Sequence, residues 1–289
     1  MILLCDCGST KAEWVLLDGA KVEKRFVTDG FNPNFTDNDS MNDIVKQSLT
    51  NIVDYHDVSD VYFYGSGCAS AANQVKVKLI FNKFYPLSKA EVYPDTLAAC
   101  HALFGDKPGI ACILGTGSNA CVYDGSEITD SVASLGFMIG DEGSGCHIGK
   151  RIVHDYFLGL MPNYLRAKFD AKYHLDREAF LKKVYQGEQP SRYLAEFAKF
   201  AGENIDNQYV AKAVSDCFEG FINNLNVGTR RATSQLIVSF VGSVAYYFSD
   251  ILTKCLANHN IKCEKILKNP MDGLIEFYKD QNAMESLIL

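Results

Sequence analysis

The sequence lacks a run of about 18 uncharged apolar residues, and it lacks an excess of positive charge. A membrane-spanning helix needs about 20 consecutive apolar residues, so none is predicted. The 28 Lys and Arg residues of the sequence are outnumbered by 35 Asp and Glu residues, which gives a net charge of −7. Broad binding to nucleic acids or anionic membranes needs clustered positive charge and is therefore not expected. A small anionic ligand needs only local donors and is not excluded.

A secretory leader and a disulfide framework are also missing from the pattern. The apolar start reaches Asp6 with no basic segment before it, which is unlike a signal peptide. The ten cysteines are scattered, and several lie inside apolar runs, as do Cys112 and Cys121. This favours reduced, buried thiols in a cytoplasmic protein. Cys5 and Cys7 lack the two-residue spacer and the second pair of a zinc knuckle, so no zinc site is predicted.

What is present is a repeated unit in a chain long enough for two domains. Residues 2–19 have the order strand, Gly/Ser/Thr turn, strand and Asp-Gly, and residues 110–125 repeat that order. Apolar strands otherwise alternate with helical patterns, which indicates an α/β fold. The repeat predicts two similar halves with a cleft between them. The polar turn near residue 108 predicts domains 1–108 and 109–289.

Helical periodicity completes the outline. The region from about 144 to 225 is mostly helical and enlarges the second domain. Pro270 suits the first turn of a final helix, which could stay with the second domain or cross back to the first. A helix is also predicted over residues 71–84. One of its faces carries three apolar residues: Val75, Leu79 and Ile80.

Four Gly/Ser/Thr turns directly follow apolar strands, at residues 8–11, 65–67, 115–118 and 242–243. Glycine lets backbone N–H groups approach a phosphate closely, and hydroxyls add donors. None of the four fits a P-loop or the dinucleotide fingerprint. A fifth Gly-rich loop over 140–145 carries two acids and suits hydroxyls or a cation better than a phosphate.

Asp6 ends an apolar strand immediately before the first of these turns. A buried carboxylate is costly unless it is paired or bound to a cation. It could cap the N–H groups of its own turn. With Thr10 and Lys11 beside it, we favour an acid that holds Mg²⁺, through water, next to nucleotide phosphates.

Three motifs resemble those of the actin, sugar kinase and Hsp70 ATPase superfamily. They are the first phosphate motif Asp6-x-Gly8-x-Thr10-Lys11, the second phosphate motif Gly115-Thr116-Gly117-Ser118 and the adenosine motif Val241-Gly242-Ser243-Val244-Ala245. The second motif is followed by Gly136-x-x-x-Gly140-Asp141-Glu142-Gly143-Ser144, which is similar to the N-acetylglucosamine kinase branch, grouped with the BadF/BadG/BcrA/BcrD ATPases. The resemblance implies two RNase-H-like domains of the actin-like ATPase kind that close over ATP and a sugar.

The resemblance also implies residue roles. Two sets would bind the ATP phosphates: Gly8, Ser9, Thr10 and Lys11, and Gly115, Thr116, Gly117 and Ser118. Gly242 and Ser243 would flank adenosine, and Asp6 would hold Mg²⁺. Asn34, Asp95 and Asp141 would bind the sugar, and Asp95 would also be the catalytic base, although a helix N-cap is a second reading for Asp95. Cys7 stands where the family often has Gly, a departure of little consequence. Residues 95–99 differ from the kinase pattern, and this second departure leaves the identity of the sugar open.

The expected function is therefore an ATP- and Mg²⁺-dependent kinase that phosphorylates a hydroxyl of an amino sugar, with N-acetylglucosamine the leading acceptor. By analogy a homodimer is possible. One alternative is an activator ATPase of a 2-hydroxyacyl-CoA dehydratase or benzoyl-CoA reductase system. Such an activator holds an iron–sulfur cluster between two subunits, and Cys100, Cys121 or Cys146 could be nominated as ligands. The other alternative is a non-catalytic sugar or nucleotide sensor.

Overall fold

A computed structural model describes residues 1–8, 11–229 and 236–288, with residues 281–288 described by backbone alone. The chain forms two compact units. The first contains Met1–Asp106 together with the segment from Pro270 onward, and the second is Lys107–Asn269. No helix in the described part of the chain is both long and apolar enough to cross a membrane.

The first unit is built on a five-stranded mixed sheet. Its strands are β1 (Ile2–Cys7), β2 (Ala12–Asp18), β3 (Lys21–Thr28), β4 (Asp60–Gly65) and β5 (Lys89–Pro94), in the order β3-β2-β1-β4-β5. β1 to β3 form an antiparallel meander, whereas β4 is parallel to β1 and β5 is parallel to β4. β1 reads as an almost continuous apolar run because it is a central strand with a parallel neighbour.

The second unit repeats this topology. Its strands are β6 (Gly109–Leu114), β7 (Ser118–Tyr123), β8 (Ile128–Ser131), β9 (Val238–Val241) and β10 (Cys263–Leu267), in the order β10-β9-β6-β7-β8. β6 to β8 are antiparallel neighbours, and β9 and β10 are added in parallel. The predicted duplication of a hairpin-led α/β unit is thus confirmed at the level of fold class.

Three helices of the first unit precede the second unit in the chain: α1 (Asn38–Ser48), α2 (Ala71–Phe84) and α3 (Asp95–Phe104). A short 3₁₀ turn lies at Tyr55–Asp57. The side chain of Ser70 caps α2 by accepting a hydrogen bond from the backbone of Asn73. Of the three residues on the predicted apolar face of α2, only Ile80 is buried, at 5% exposure. Val75 and Leu79 are 56% and 62% exposed, because Val77 and Phe81 pack into the core instead.

The second unit carries the helical enlargement that the sequence predicts. Its helices are α4 (Gly136–Ile139), α5 (Gly145–Phe157), α6 (Asn163–Tyr173), α7 (Arg177–Gln186), α8 (Pro190–Ala195), α9 (Ala198–Glu203), α10 (Gln208–Gly228), α11 (Ser243–Tyr247) and α12 (Ser249–Asn258). Each unit has its own apolar core. Trp14 lies in the first core, and a cluster of phenylalanines that includes Phe169, Phe197 and Phe200 fills the second.

The last helix, α13 (Met271–Ile288), packs against α3 and β1 in the first unit. Gly273 allows this close approach, since a Cβ atom there would lie 2.3 Å from the carbonyl oxygen of Ala102. The hydroxyl of Tyr278 is 2.8 Å from that of Tyr64, which is also 2.7 Å from Nδ1 of His101. The open question of where the final helix packs is answered by these contacts.

Candidate functional site

In each unit, the predicted site residues follow the carboxyl ends of parallel strands. In the first unit, β1, β4 and β5 are followed by the turn 8–11, the turn 65–67 and Asp95. β3 also runs in this direction and is followed by the loop that contains Asn34. The carboxyl ends of parallel strands share one edge of a sheet, which is where α/β proteins place their ligand sites. The topology therefore gathers these residues at one edge.

Asp6 and Asp95, predicted as metal-binding and catalytic residues, lie close enough to interact electrostatically. Burial raises the pKa of Asp6 to about 7, and the negative charges of Asp95 and Glu13 add to the effect. Glu13 is the cross-strand partner of Asp6 on β2. Glu13 is already paired with Arg25, over 2.7 Å, so a divalent cation would offset the charges of Asp6 and Asp95, and these two residues fit Mg²⁺.

Asp95 begins α3 but does not cap it. The N-cap position is Pro94, and no side chain caps the helix there. The Asp95 carboxylate instead accepts a hydrogen bond from the hydroxyl of Ser66, with 2.9 Å between Oγ and Oδ2. The capping interpretation of this residue is therefore wrong, and its half-buried carboxylate is held by a side chain from the neighbouring strand end.

The first predicted phosphate turn is closed by a hydrogen bond of 2.9 Å from the Gly8 backbone N–H to the carbonyl of Lys11. Ser9 and Thr10 lie outside the described residues. The loop after β3 lies directly on this turn. A Cβ atom on Gly30 would be 2.0 Å from the oxygen of Gly8 and 2.5 Å from the nitrogen of Lys11. Gly30 thus contacts the predicted phosphate turn, which the sequence did not reveal, since Asp-Gly pairs are common in ordinary turns.

Asn34 is held by a second asparagine. Nδ2 of Asn73 donates to Oδ1 of Asn34 over 2.7 Å and to the carbonyl of Gly67 over 2.8 Å. The backbone N–H of Asn34 donates to the side chain of Asn32. Asn34, the predicted sugar-binding residue, is thus held through Asn73 to the turn at the end of β4. The serine of that same turn contacts Asp95.

In the second unit, the predicted phosphate turn over 115–118 is fixed by the N-terminus of α5. The backbone N–H groups of Gly145 and Cys146 donate to the carbonyls of Gly115 and Thr116, over 2.8 and 3.0 Å. Ser144 caps the helix by accepting from the backbone of His147. The positive end of the α5 dipole is therefore directed at this turn, which suits the binding of an anion.

Asp141, predicted to bind sugar, lies against the same turn. Its Oδ1 accepts a hydrogen bond of 3.3 Å from the Ser118 backbone, and a Cβ atom on Gly117 would lie 3.0 Å from its Oδ2. Its φ is +59°, in the left-handed region that non-glycine residues rarely adopt. The strained backbone thus carries the carboxylate to Gly117 and Ser118, two of the predicted phosphate-binding residues.

Gly242 and Ser243, the predicted adenosine residues, turn the chain from β9 into α11. Gly242 has φ +125°, and a Cβ atom there would lie 2.2 Å from the carbonyl oxygen of Leu114, the last residue of β6. Only glycine satisfies both conditions. The close approach places this turn next to the one that starts at Gly115.

A cavity of about 610 Å³ in the second unit joins the two turns. Gly115, Thr116 and Ser243 line it, together with Tyr247 and Phe248 from α11 and the residue that follows it. Its volume is in the range of pockets that hold small molecules and cofactors. The structure thus brings part of the predicted phosphate motif and part of the predicted adenosine motif to one cavity.

The opposite wall of this cavity comes from α8 and α9 and was not predicted. Small residues form part of that wall: Ala195, Ala198 and Gly202. Charged residues form the rest: Arg192, Glu196, Lys199 and Glu203. The charged residues recur at intervals of four, three and four, which is the spacing of one helix face. In the sequence this spacing cannot be distinguished from a solvated helix surface.

The described residues contain no group of three or more His, Cys, Asp or Glu side chains arranged to hold a metal ion. A magnesium ion bound mainly by phosphates and water needs only one or two carboxylates, so this finding does not conflict with Asp6. Cys100, Cys121 and Cys146 are all buried, at 0%, 2% and 0% exposure. A cluster shared between two subunits needs ligands at the surface, so the burial of these thiols does not favour the activator alternative.

Comparison with solved structures shows the class of fold to which the chain belongs. The duplicated fold is that of the sugar kinases and actin-like ATPases. It matches the structure of a ROK family glucokinase from Streptomyces griseus in complex with glucose and AMPPNP, with a TM-score of 0.52, 15% identity, and 95% and 97% of the two chains covered. It also matches a protein of Chromobacterium violaceum provisionally named N-acetylglucosamine kinase, with a TM-score of 0.66, 15% identity, and 96% and 98% coverage.

A protein of Porphyromonas gingivalis, also provisionally named N-acetylglucosamine kinase, is more similar. Its structure has a TM-score of 0.91 and 33% sequence identity, and the match covers 97% of this chain and 99% of that one. The chain belongs to the family of this P. gingivalis protein. No protein-family profile and no curated protein matches the sequence, so the finer BadF/BadG/BcrA/BcrD grouping stays a prediction.

Proposed function

We propose that the protein is an ATP-dependent kinase that phosphorylates a hydroxyl group of an amino sugar, with N-acetylglucosamine as the leading acceptor. The observation that carries the proposal is the cavity of about 610 Å³ whose wall combines Gly115 and Thr116 with Ser243. The family relationship to the P. gingivalis protein supports the same activity and suggests the acceptor.

The second unit would bind the nucleotide. The N-terminal end of α5 holds the turn at Gly115 and Thr116, where the phosphates of ATP would bind. Tyr247 and Phe248 offer aromatic surface for the nucleoside in the same cavity. ATP bound in this way would leave its phosphates beside Asp141, which braces the turn through Ser118.

The first unit would provide the general base and the residue that orients the acceptor sugar. In the reaction, the acceptor oxygen forms a bond to the γ-phosphorus, and the bond from that phosphorus to the bridging oxygen breaks, which releases ADP. The hydroxyl proton passes to the Asp95 carboxylate. Ser66 holds one oxygen of that carboxylate, so the other is the one available to accept the proton. Asn34 would orient the sugar.

Magnesium ion, when bound, would neutralise charge on the phosphates, which is the main requirement of phosphoryl transfer. Asp6 is the residue that would hold it, through water. The remaining work falls to the protein's own groups, which position the acceptor hydroxyl and the Asp95 carboxylate.

The test is a coupled assay of ADP release across a panel of amino sugars, with and without Mg²⁺. The expected result is sugar-stimulated, Mg²⁺-dependent release that is strongest with N-acetylglucosamine. ADP release that no sugar stimulates would contradict the kinase proposal and favour an ATPase. Nucleotide binding without any turnover would favour a sensor.

The Asp95→Asn substitution tests the assigned base. It keeps the shape of the side chain and an acceptor for Ser66 but removes the basic oxygen. Turnover should fall by about 10²–10⁴-fold, the usual contribution of a positioned base, while calorimetry shows unchanged affinity for ATP and sugar. A variant with nearly wild-type kcat would show that Asp95 is not the base. The predicted cytoplasmic location, homodimer and absence of nucleic-acid binding stay predictions.

A further inference from the structure

The turn at Gly65-Ser66-Gly67 is the one Gly/Ser/Thr turn of the four to which the proposed function gives no ligand. It follows β4 and is tied to the neighbouring strand end, because the backbone N–H of Ser66 donates to the carbonyl of Cys7 over 2.9 Å. Gly67 has φ +83°, and a Cβ atom there would lie 2.2 Å from Oδ1 of Asn32. The turn is therefore fixed on both sides.

One side chain of this turn reaches the predicted base. The Ser66 hydroxyl donates to Oδ2 of Asp95 over 2.9 Å. Within the described residues, Oδ1 of Asp95 accepts no hydrogen bond. The contact therefore distinguishes the two carboxylate oxygens and fixes the rotation of the side chain.

The Gly67 carbonyl of the same turn orients Asn34, the predicted sugar-binding residue, through the side chain of Asn73. Asn73 is 7% exposed, and its Nδ2 donates both to Gly67 and to Oδ1 of Asn34. Because Oδ1 of Asn34 is engaged, its amide nitrogen is left to donate. Within the described residues that nitrogen has no acceptor, so it can bind a hydroxyl oxygen of a ligand.

We propose that the Gly65-Ser66-Gly67 turn organises the acceptor side of the site. Ser66 is a positioning residue for Asp95, and Asn73 is a positioning residue that makes Asn34 a hydrogen-bond donor to the sugar. This inference rests on the proposed kinase function and assigns a different contribution to each of the two residues. Ser66 acts on turnover, and Asn73 acts on sugar affinity.

The first arm of the test replaces Ser66. Ser66→Ala should lower kcat by about tenfold or more and leave the sugar KM within about twofold, because the lost hydrogen bond is to a charged group used in the chemical step. Ser66→Thr keeps the hydroxyl and should restore kcat to within about threefold. Ser88→Ala is the matched control, since it removes a hydroxyl that donates to the Tyr85 carbonyl over 2.8 Å in the same unit. It should leave kcat unchanged.

The second arm replaces Asn73. Asn73→Asp keeps the shape but turns the donor into an acceptor, so the Asn34 amide must rotate and present its oxygen to the ligand. The sugar KM, and the sugar Kd from calorimetry, should rise by about tenfold with kcat at saturating sugar within about threefold. Asn42→Asp is the matched control. Its Nδ2 donates to the Asn38 carbonyl over 2.7 Å in α1, outside the site.

The outcomes separate the two proposals. Loss of kcat in Ser66→Ala with rescue by Ser66→Thr, and loss of sugar affinity in Asn73→Asp, support both. Variants that behave like their controls in an active kinase overturn the positioning roles and leave the kinase function standing. An unsubstituted protein that phosphorylates no amino sugar overturns the kinase function and, with it, the positioning roles.

Discussion

The Gly30→Ala substitution tests whether the loop after β3 sets the position of the first phosphate turn. Gly30 does not have the positive φ that disfavours alanine. The obstacle is steric. The added methyl carbon would lie 2.0 Å from the oxygen of Gly8, whereas carbon–oxygen contacts are normally no shorter than about 3.3 Å. The turn must therefore move by about 1 Å.

The expected effect follows from that displacement. Overpacking of this kind costs about 1–3 kcal/mol of stability. A shift of about 1 Å in a group that positions a substrate can cost about 10²-fold in rate. We expect kcat/KM for ATP to fall by about 10–100-fold in Gly30→Ala, measured by coupled ADP release at saturating sugar, while the urea midpoint falls moderately.

Gly19→Ala is the matched control for this experiment. Gly19 has φ +54°, and a Cβ atom there would have no heavy atom within 4 Å, so alanine costs about 1–2 kcal/mol of backbone strain without displacing a neighbour. The two variants should lose similar stability, but only Gly30→Ala should lose kcat/KM for ATP. Equal kinetics in the two variants would refute the link between this loop and the phosphate turn.

Two further predictions concern stability and the cavity. Burial lowers the pKa of His101 from 6.5 to about 4, so the unfolded chain binds a proton first as the pH falls, and up to about 3 kcal/mol of stability should be lost between these values. Urea midpoints should fall over this range and flatten in His101→Gln, and an unchanged slope would contradict the prediction. Gly202→Leu places a side chain in the cavity and favours the helix, so ATP affinity should fall by about tenfold or more in calorimetry without loss of stability. Unchanged ATP affinity would mean that the nucleotide does not use this cavity.

The duplicated fold could be predicted because its central strands are buried. β1 and β6 are apolar runs that end in Gly/Ser/Thr turns, so both their burial and the turns that follow them can be predicted from the amino-acid sequence. The edge strands β3 and β8 were not predicted. Residues in β3 are mostly exposed on both faces, so Lys21–Thr28 shows no alternation of apolar and polar positions. Pairing to β2, which periodicity cannot detect, holds it in the sheet.

The candidate site could be predicted where backbone geometry requires a particular residue. Gly242 appears in the sequence because its left-handed φ and its contact with Leu114 demand glycine. Ser66, Asn73 and the charged residues of α8 and α9 act through contacts between segments distant in sequence. Serine and asparagine are common in turns and caps, so their types alone carried no signal.

The return of α13 to the first unit has a consequence for how the protein is made. Residues 107–269 are synthesised between the two parts of the first unit, so β1 and α3 cannot complete their packing until Gly273 and Tyr278 have been made. The unit translated first is thus finished last. Until the helix emerges, the apolar surface that it covers is open to solvent and to chaperones.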